Sequence, residues 1–174
     1  MKAHIRGILV LAPLLLISSI LVAQQTPSVQ ISGKNIPTLH VTATELSRMP
    51  RLSVDVHNPH SENTEHYEGV RVSDLLAKAG VPLGEKLRGT ALATYIVVQA
   101  GDGYAVVYSI AEIDPAMNDN RIILADTMNG KPLGEHDGPF KLVAPGEKRP
   151  ARWVRMVHAL QVESAVIPSQ SSPQ

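Results

Sequence analysis

The sequence contains no cysteine. Its own side chains therefore supply no disulfide, no thiolate nucleophile and no thiolate metal ligand. It also lacks net charge, with 16 Lys and Arg against 16 Asp and Glu, which argues against a general nucleic-acid binder. Aromatic residues are scarce, with one Trp and one Phe, so a core has to be assembled from Val, Leu, Ile and Ala. Long apolar runs are missing except at the start. There Lys2, His4 and Arg6 precede the uncharged stretch Gly7 to Ala23, which is 17 residues long and interrupted by Pro13. That is at the lower limit for a membrane span and has the pattern of a signal peptide over residues 1–23. Membrane attachment is expected only if this leader stays uncleaved. With no twin arginine, the leader suits export of an unfolded chain, and the expected location is periplasmic or secreted. The remaining 151 residues carry 14 basic and 16 acidic side chains. They suit one domain over 24–165, followed by a polar tail, 166–174, with too little apolar content to fold.

Within the domain the pattern predicts strands more often than helices. Val29 and Ile31 alternate before a turn at Gly33-Lys34-Asn35, and a second strand is expected over Thr38 to Val41. Thr42 and Glu45 stand three apart as a capping box for a short helix ending near Pro50. "RLSVDVH" alternates as a half-buried strand. "RVSDLLAKAGV" is the clearest helix, with Ser73 as its expected cap and Gly80 as its stop. Tyr67, Glu68 and Gly69 are expected to serve the turn into the next strand. "TYIVVQAGDGYAVVYS" reads as a hairpin turning at Gly101-Asp102-Gly103. "SIAEIDP" predicts a helical turn, "RIILA" a buried strand, "MNGKPL" an Asn-Gly turn and "FKLVAPG" a short strand. No internal repeat is present. Strands and helices do not alternate regularly, so the class is α+β, a compact domain with a mixed sheet and short helices.

The stretch "GPFKLVAPGEKRPARWVRMVHALQV" gathers Lys141, Lys148, Arg149, Arg152, Arg155 and His158 around the only Trp. Read as a strand from Ala151 to Val162, it places Val154, Met156, His158, Leu160 and Val162 on one face and Trp153, Arg155, Val157 and Ala159 on the other. Two readings stand open: a solvated basic edge paired with surface acids, or a cradle for an anion. Guanidinium groups suit the second because their planar donors can bind two phosphate oxygens at once.

The series "YEGVRVSDLLAKAG", "GDGYAVVYS", "MNGKPL" and "GPFKLVAPGEKRPARWVR" resembles the sulfite-oxidase-type molybdopterin-binding domain, in particular its small secreted bacterial members. The resemblance runs from about Gln30 to Val162. It implies a compact α+β domain and a pterin dithiolene cofactor that bears a phosphate and holds molybdenum. It also implies pocket positions. His136 lies near a family His that precedes a Gly-x-Pro-x-Arg stretch, and Lys141 replaces the Arg of that stretch. Arg152 and Arg155 match the cations that reach the pterin and its phosphate. Asp102 matches an acidic residue near the pterin, although a hairpin-turn Asp is an equal reading. Catalytic members bind molybdenum through a Cys in the segment corresponding to "VDVHNPHSENTEHYEG", and this chain has none there. Molybdopterin is therefore implied, whereas a molybdenum centre is not expected, because a soft thiolate has no good substitute in His or Glu.

The same segment holds His57, His60 and His66, expected to be solvated loop residues with no metal role. The chain is thus expected to be an exported molybdopterin-binding-like domain that binds a pterin-type or other phosphorylated anion without oxygen-atom transfer. The alternatives are a molybdopterin-dependent oxidoreductase with non-Cys ligation, or a module that uses this fold to bind a periplasmic protein.

Overall fold

The computed structural model describes residues 26–57 and 63–165. The expected leader, the expected tail and His60 lie outside the described residues. The elements are β1 (Ser28–Gly33), β2 (Ile36–Thr42), α1 (Ala43–Ser47), β3 (Arg51–His57), β4 (Thr64–Arg71), α2 (Val72–Lys78), β5 (Thr94–Ala100), β6 (Ala105–Ser109), α3 (Ile110–Ile113), β7 (Ile123–Met128), β8 (Lys131–Pro132), β9 (Lys141–Val143) and β10 (Val157–Ser164).

Local chemistry accounts for most of these boundaries. Thr42 and Ser109 each form the full capping box, with Glu45 and Glu112 returning the bond to the cap backbone. These reciprocal bonds satisfy amides that a helix start otherwise leaves unpaired. The β5–β6 turn uses Gly103 at φ 88°, and the β7–β8 turn uses Asn129 and Gly130 at φ 50° and 74°. Asn-Gly tolerates this left-handed backbone, which suits a tight hairpin.

The class is α+β as expected, with short helices and the strands divided into two sheets. The first runs β2-β1-β10-β5-β6, and its β1–β10 pair is parallel. The second runs β3-β4-β7-β8, with β9 also pairing β7, and all its pairs are antiparallel. The main core lies among Val29, Ile31, Leu75, Leu76, Ile96, Val98 and Leu160. A smaller cluster joins Val54, Val56, Tyr67, Ile123, Ala125 and Val143 on the second sheet, and Trp153 packs against both clusters. The lone Trp thus bridges the two cores.

Three local expectations are corrected. Ser73 does not cap α2: the N-cap is Arg71, without a side-chain bond, and Ser73 is buried inside the helix. Tyr67, Glu68 and Gly69 sit in mid-strand of β4 rather than in a turn, paired to β3 and β7. The final strand begins at Val157 instead of Ala151. Pro150 opens a 3₁₀ turn over 150–152, and Met156 takes φ 47°, so the chain is not extended through Arg155. The expected alternation therefore fails: Val154 and Val157 are both buried, and His158 is exposed beside a register shift.

Candidate anion pocket beside Trp153

The segment between Pro150 and Val157 is irregular, yet backbone bonds fix its position. Leu142 N–H donates to Val154 C=O at 2.8 Å, Met156 N–H to Asp137 C=O at 3.0 Å, and Val157 N–H to Phe140 C=O at 2.8 Å. These bonds lay Arg155 alongside the 136–141 stretch. The Trp153 ring is held by its own N–H, which donates to Ala144 C=O at 3.0 Å.

A cavity of about 610 Å³ opens here, lined by His57, Glu65, Tyr67, Met128, His136, Asp137, Lys141, Glu147, Lys148, Pro150, Trp153 and Arg155. That volume falls within the range of small-ligand and cofactor sites, roughly 300–1,000 Å³. Tyr67 and Trp153 form an edge-to-face aromatic wall, with ring centroids 6.2 Å apart. Lys141, carried by β9, is buried at 9% exposure. Its ammonium donates to the Tyr67 oxygen at 3.0 Å and to Asp137 at 3.1 Å, and lies 5.1 Å from the Tyr67 ring centre. Tyr67 in turn donates to Glu65 at 2.8 Å. Burial first, and then the Glu65 bond, push the Tyr67 phenol well above its ordinary pKa. It remains a protonated donor.

Much of the charge in the wall is therefore already compensated. Lys141 faces Asp137, and Glu147 is held by Arg152 at 2.7 Å. Among the described residues, neither Lys148 nor Arg155 is ion-paired to a carboxylate. Arg155 instead meets the His136 ring nitrogen Nε2. An incoming anion thus finds two uncompensated cations beside an aromatic wall.

The five expected site residues separate. His136, Lys141 and Arg155 line the cavity together. Asp102 lines a smaller adjoining cavity of about 250 Å³, which shares Pro150, Trp153 and Arg155 with the first. Asp102 also accepts the Tyr104 backbone N–H at 3.0 Å, so its turn role is real. Arg152 lines neither cavity. Its guanidinium bonds Glu112, Glu147 and the Val107 carbonyl and stacks 4.0 Å from the Tyr108 ring centre. Burial works against the charge of Arg152, but Glu112 and Glu147 outweigh it and raise the pKa.

This arrangement makes Arg152 a structural cross-link with no donors directed at the cavity. Arg152→Ala is expected to cost about 1–2 kcal/mol, given charged hydrogen bonds discounted for partial exposure. Calorimetry should show a melting temperature lower by a few degrees, and any phosphate-dependent gain should shrink, because Glu147 then stands in the cavity wall without its cation.

His57, Glu65, Tyr67 and Asp137 were not foreseen in the wall. The available signal was the period-two spacing of Glu65 and Tyr67, obscured by the polar residues around them. His66 pairs with Asp55 at 2.6 Å and Glu68 at 3.5 Å, away from the cavity. Among the described residues, no group of three or more His, Cys, Asp or Glu is placed to hold a metal ion.

The donor set fits one part of a molybdopterin and not another. The cations and the aromatic wall suit a phosphate and a flat heterocycle. No anionic sulfur faces the cavity, since the chain has no Cys and Met128 offers only a neutral thioether. High-valent metal held by a protein thiolate does not fit this wall.

No curated protein sequence matches the chain. Among solved structures it is similar to the crystal structure of the sulfane dehydrogenase SoxCD from Paracoccus pantotrophus, with a TM-score of 0.61 and 22% identity. The match covers 78% of this chain and 38% of that one. The family model for the oxidoreductase molybdopterin binding domain matches residues 19–171, and the chain belongs to that family.

Proposed function

We propose that this is an exported domain that binds a pterin-type phosphorylated anion in the Trp153 pocket and does not perform oxygen-atom transfer at a thiolate-held molybdenum. The observation that carries this reading is the meeting of Arg155, His136, Lys141 and Lys148 around an aromatic wall in a chain without cysteine. Arg155 and Lys148 would hold the phosphate, and Tyr67 and Trp153 would flank the heterocycle. The buried Lys141 would supply a fixed positive end, oriented by Asp137 and Tyr67. A bound molybdopterin would bring its own dithiolene; this chain's part is binding and orientation. The basic n-region and short apolar stretch of residues 1–23 support export. Dehydrogenase activity belongs to the SoxCD protein, and this chain spans 38% of that length.

Inorganic phosphate tests the pocket. A ligand that binds only the native state raises stability by RT ln(1 + [L]/Kd). Titration should therefore raise the melting temperature along a saturable curve. A linear rise shared by chloride at equal ionic strength would reject the pocket in favour of general salt screening.

A further inference from the structure

The side of the first sheet turned away from the core carries almost no charge. β1, β5 and β10 send Val29, Ile31, Ile96, Val98 and Leu160 into the main core, so the residues between them point outward. The strand register sets Ser32, Gln161, Val97 and Val107 in one cross-strand row and Gln30, Ala159, Gln99 and Ala105 in the next. Glu163, Tyr95 and Ser109 make a third. Charged residues are 18% of the chain, yet Glu163 is the only one in these rows, and the Gln161 amide donates to it at 2.6 Å.

Tyr95, Val97 and Val107 belong to neither core cluster and pack against neither, and Val107 is 52% exposed. Between them stand amides, each with its own donor and acceptor, and Gln99 already donates to Gln161 across the strands at 3.3 Å. Such a surface is matched by an identical surface turned to face it: donors meet acceptors, and no block of like charge opposes the approach. A strongly charged partner would find a single countercharge. An anionic membrane surface would find no Lys or Arg in the three rows.

Size limits the strength of the contact. Five strands about 4.8 Å apart, with about 3.3 Å per residue along each, give a face of roughly 20 by 20 Å. Two copies meeting over it bury on the order of 1,000 Å² in total, the lower bound for a specific interface and the range of a weak dimer.

We infer that this face docks a second copy of the chain, the two sheets packing face to face about a two-fold axis. The inference is independent of the anion pocket, since no residue lining that pocket comes from the first sheet.

Sedimentation velocity of the protein isolated from its native host, over about 1–100 µM, reads the association directly. The expected result is a reversible monomer–dimer equilibrium within that range. Val107→Glu and Gln99→Lys each place an unpaired charge on the face in both copies, so each should weaken the dimer at least tenfold. Met117→Glu is the control, because Met117 is 47% exposed but lies after α3, outside the rows; it should leave the equilibrium unchanged. The melting temperature of each dilute variant checks that it folds, and either face variant suffices if the other does not. A wild-type monomer at every concentration, alone or carrying another protein, would overturn the inference. A dimer indifferent to both face variants would overturn it as well, by placing the contact elsewhere.

Discussion

Gly69→Ala is expected to be the most damaging single-methyl change in the domain, costing about 3 kcal/mol or more. A Cβ at position 69 would lie 2.2 Å from the Leu124 carbonyl oxygen and 2.6 Å from Ala125 Cα. Both are backbone atoms of the central strand β7, so no side chain can rotate away. Relief requires β4 and β7 to separate where their register already shifts, between Glu68 and Gly69. Overpacking typically costs about 1–3 kcal/mol, and contact with rigid backbone belongs at or beyond the upper end. For a domain of this size the melting temperature should fall by roughly 10 °C. Gly134→Ala is the control, because a Cβ there meets nothing within 4 Å; it should change the melting temperature very little. Equal melting of the two variants would contradict the close approach of β4 and β7. The consequence reaches the site, since β4 carries Glu65 and Tyr67 and β7 carries Met128 and pairs the strand bearing Lys141.

Arg155→Ala should produce the largest change in ligand response. Losing a charge-assisted, two-donor contact to an oxyanion costs about 1.5–3 kcal/mol, or roughly ten- to a hundredfold in affinity. At phosphate a hundredfold above the wild-type Kd, stabilisation is about 2.7 kcal/mol, and a hundredfold weaker site keeps only about 0.4 kcal/mol of it. The phosphate-dependent melting shift should therefore nearly vanish. Without phosphate the variant's stability should lie within about 0.5 kcal/mol of wild type, because Arg155 is partly exposed and makes no ion pair among the described residues. Lys148→Ala should weaken the response less, since Lys148 is a single point charge in a Pro-Gly-rich loop. Equal phosphate shifts in wild type and Arg155→Ala would eliminate Arg155 as an anion ligand.

What was legible in the sequence divides along local and long-range lines. The capping box at Thr42 and the Gly-Asp-Gly and Asn-Gly turns depend on neighbours within four residues, and these positions formed as expected, whereas the second capping box, Ser109 with Glu112, was equally local but was not foreseen. The division into two sheets did not show, because strand partners such as β1 and β10 are set by packing across the whole chain. The strand expected from Ala151 failed for a local reason that alternation concealed, namely Pro150 opening a turn and Met156 adopting a positive φ.

The same break decided the site. On an extended strand, Arg152 and Arg155, three positions apart, would project from opposite faces. In the irregular segment that replaces it, Arg155 faces His136 while Arg152 faces Glu112 and Glu147. Residue type alone could not separate these two arginines, since each is equally suited to a carboxylate and to a phosphate. Lys141 was foreseen from resemblance. Its partner Tyr67 was not, because "NTEHYEG" is polar enough to pass for a loop.

The central claim, a pterin-type phosphorylated anion bound without a thiolate-held metal, is tested most directly by the contents of the protein isolated from its native host. Fluorimetry after oxidative release should find pterin near one per chain, and elemental analysis should find molybdenum far below that ratio. Molybdenum at one per chain would contradict the account, and absence of any pterin or other phosphorylated ligand would contradict it equally.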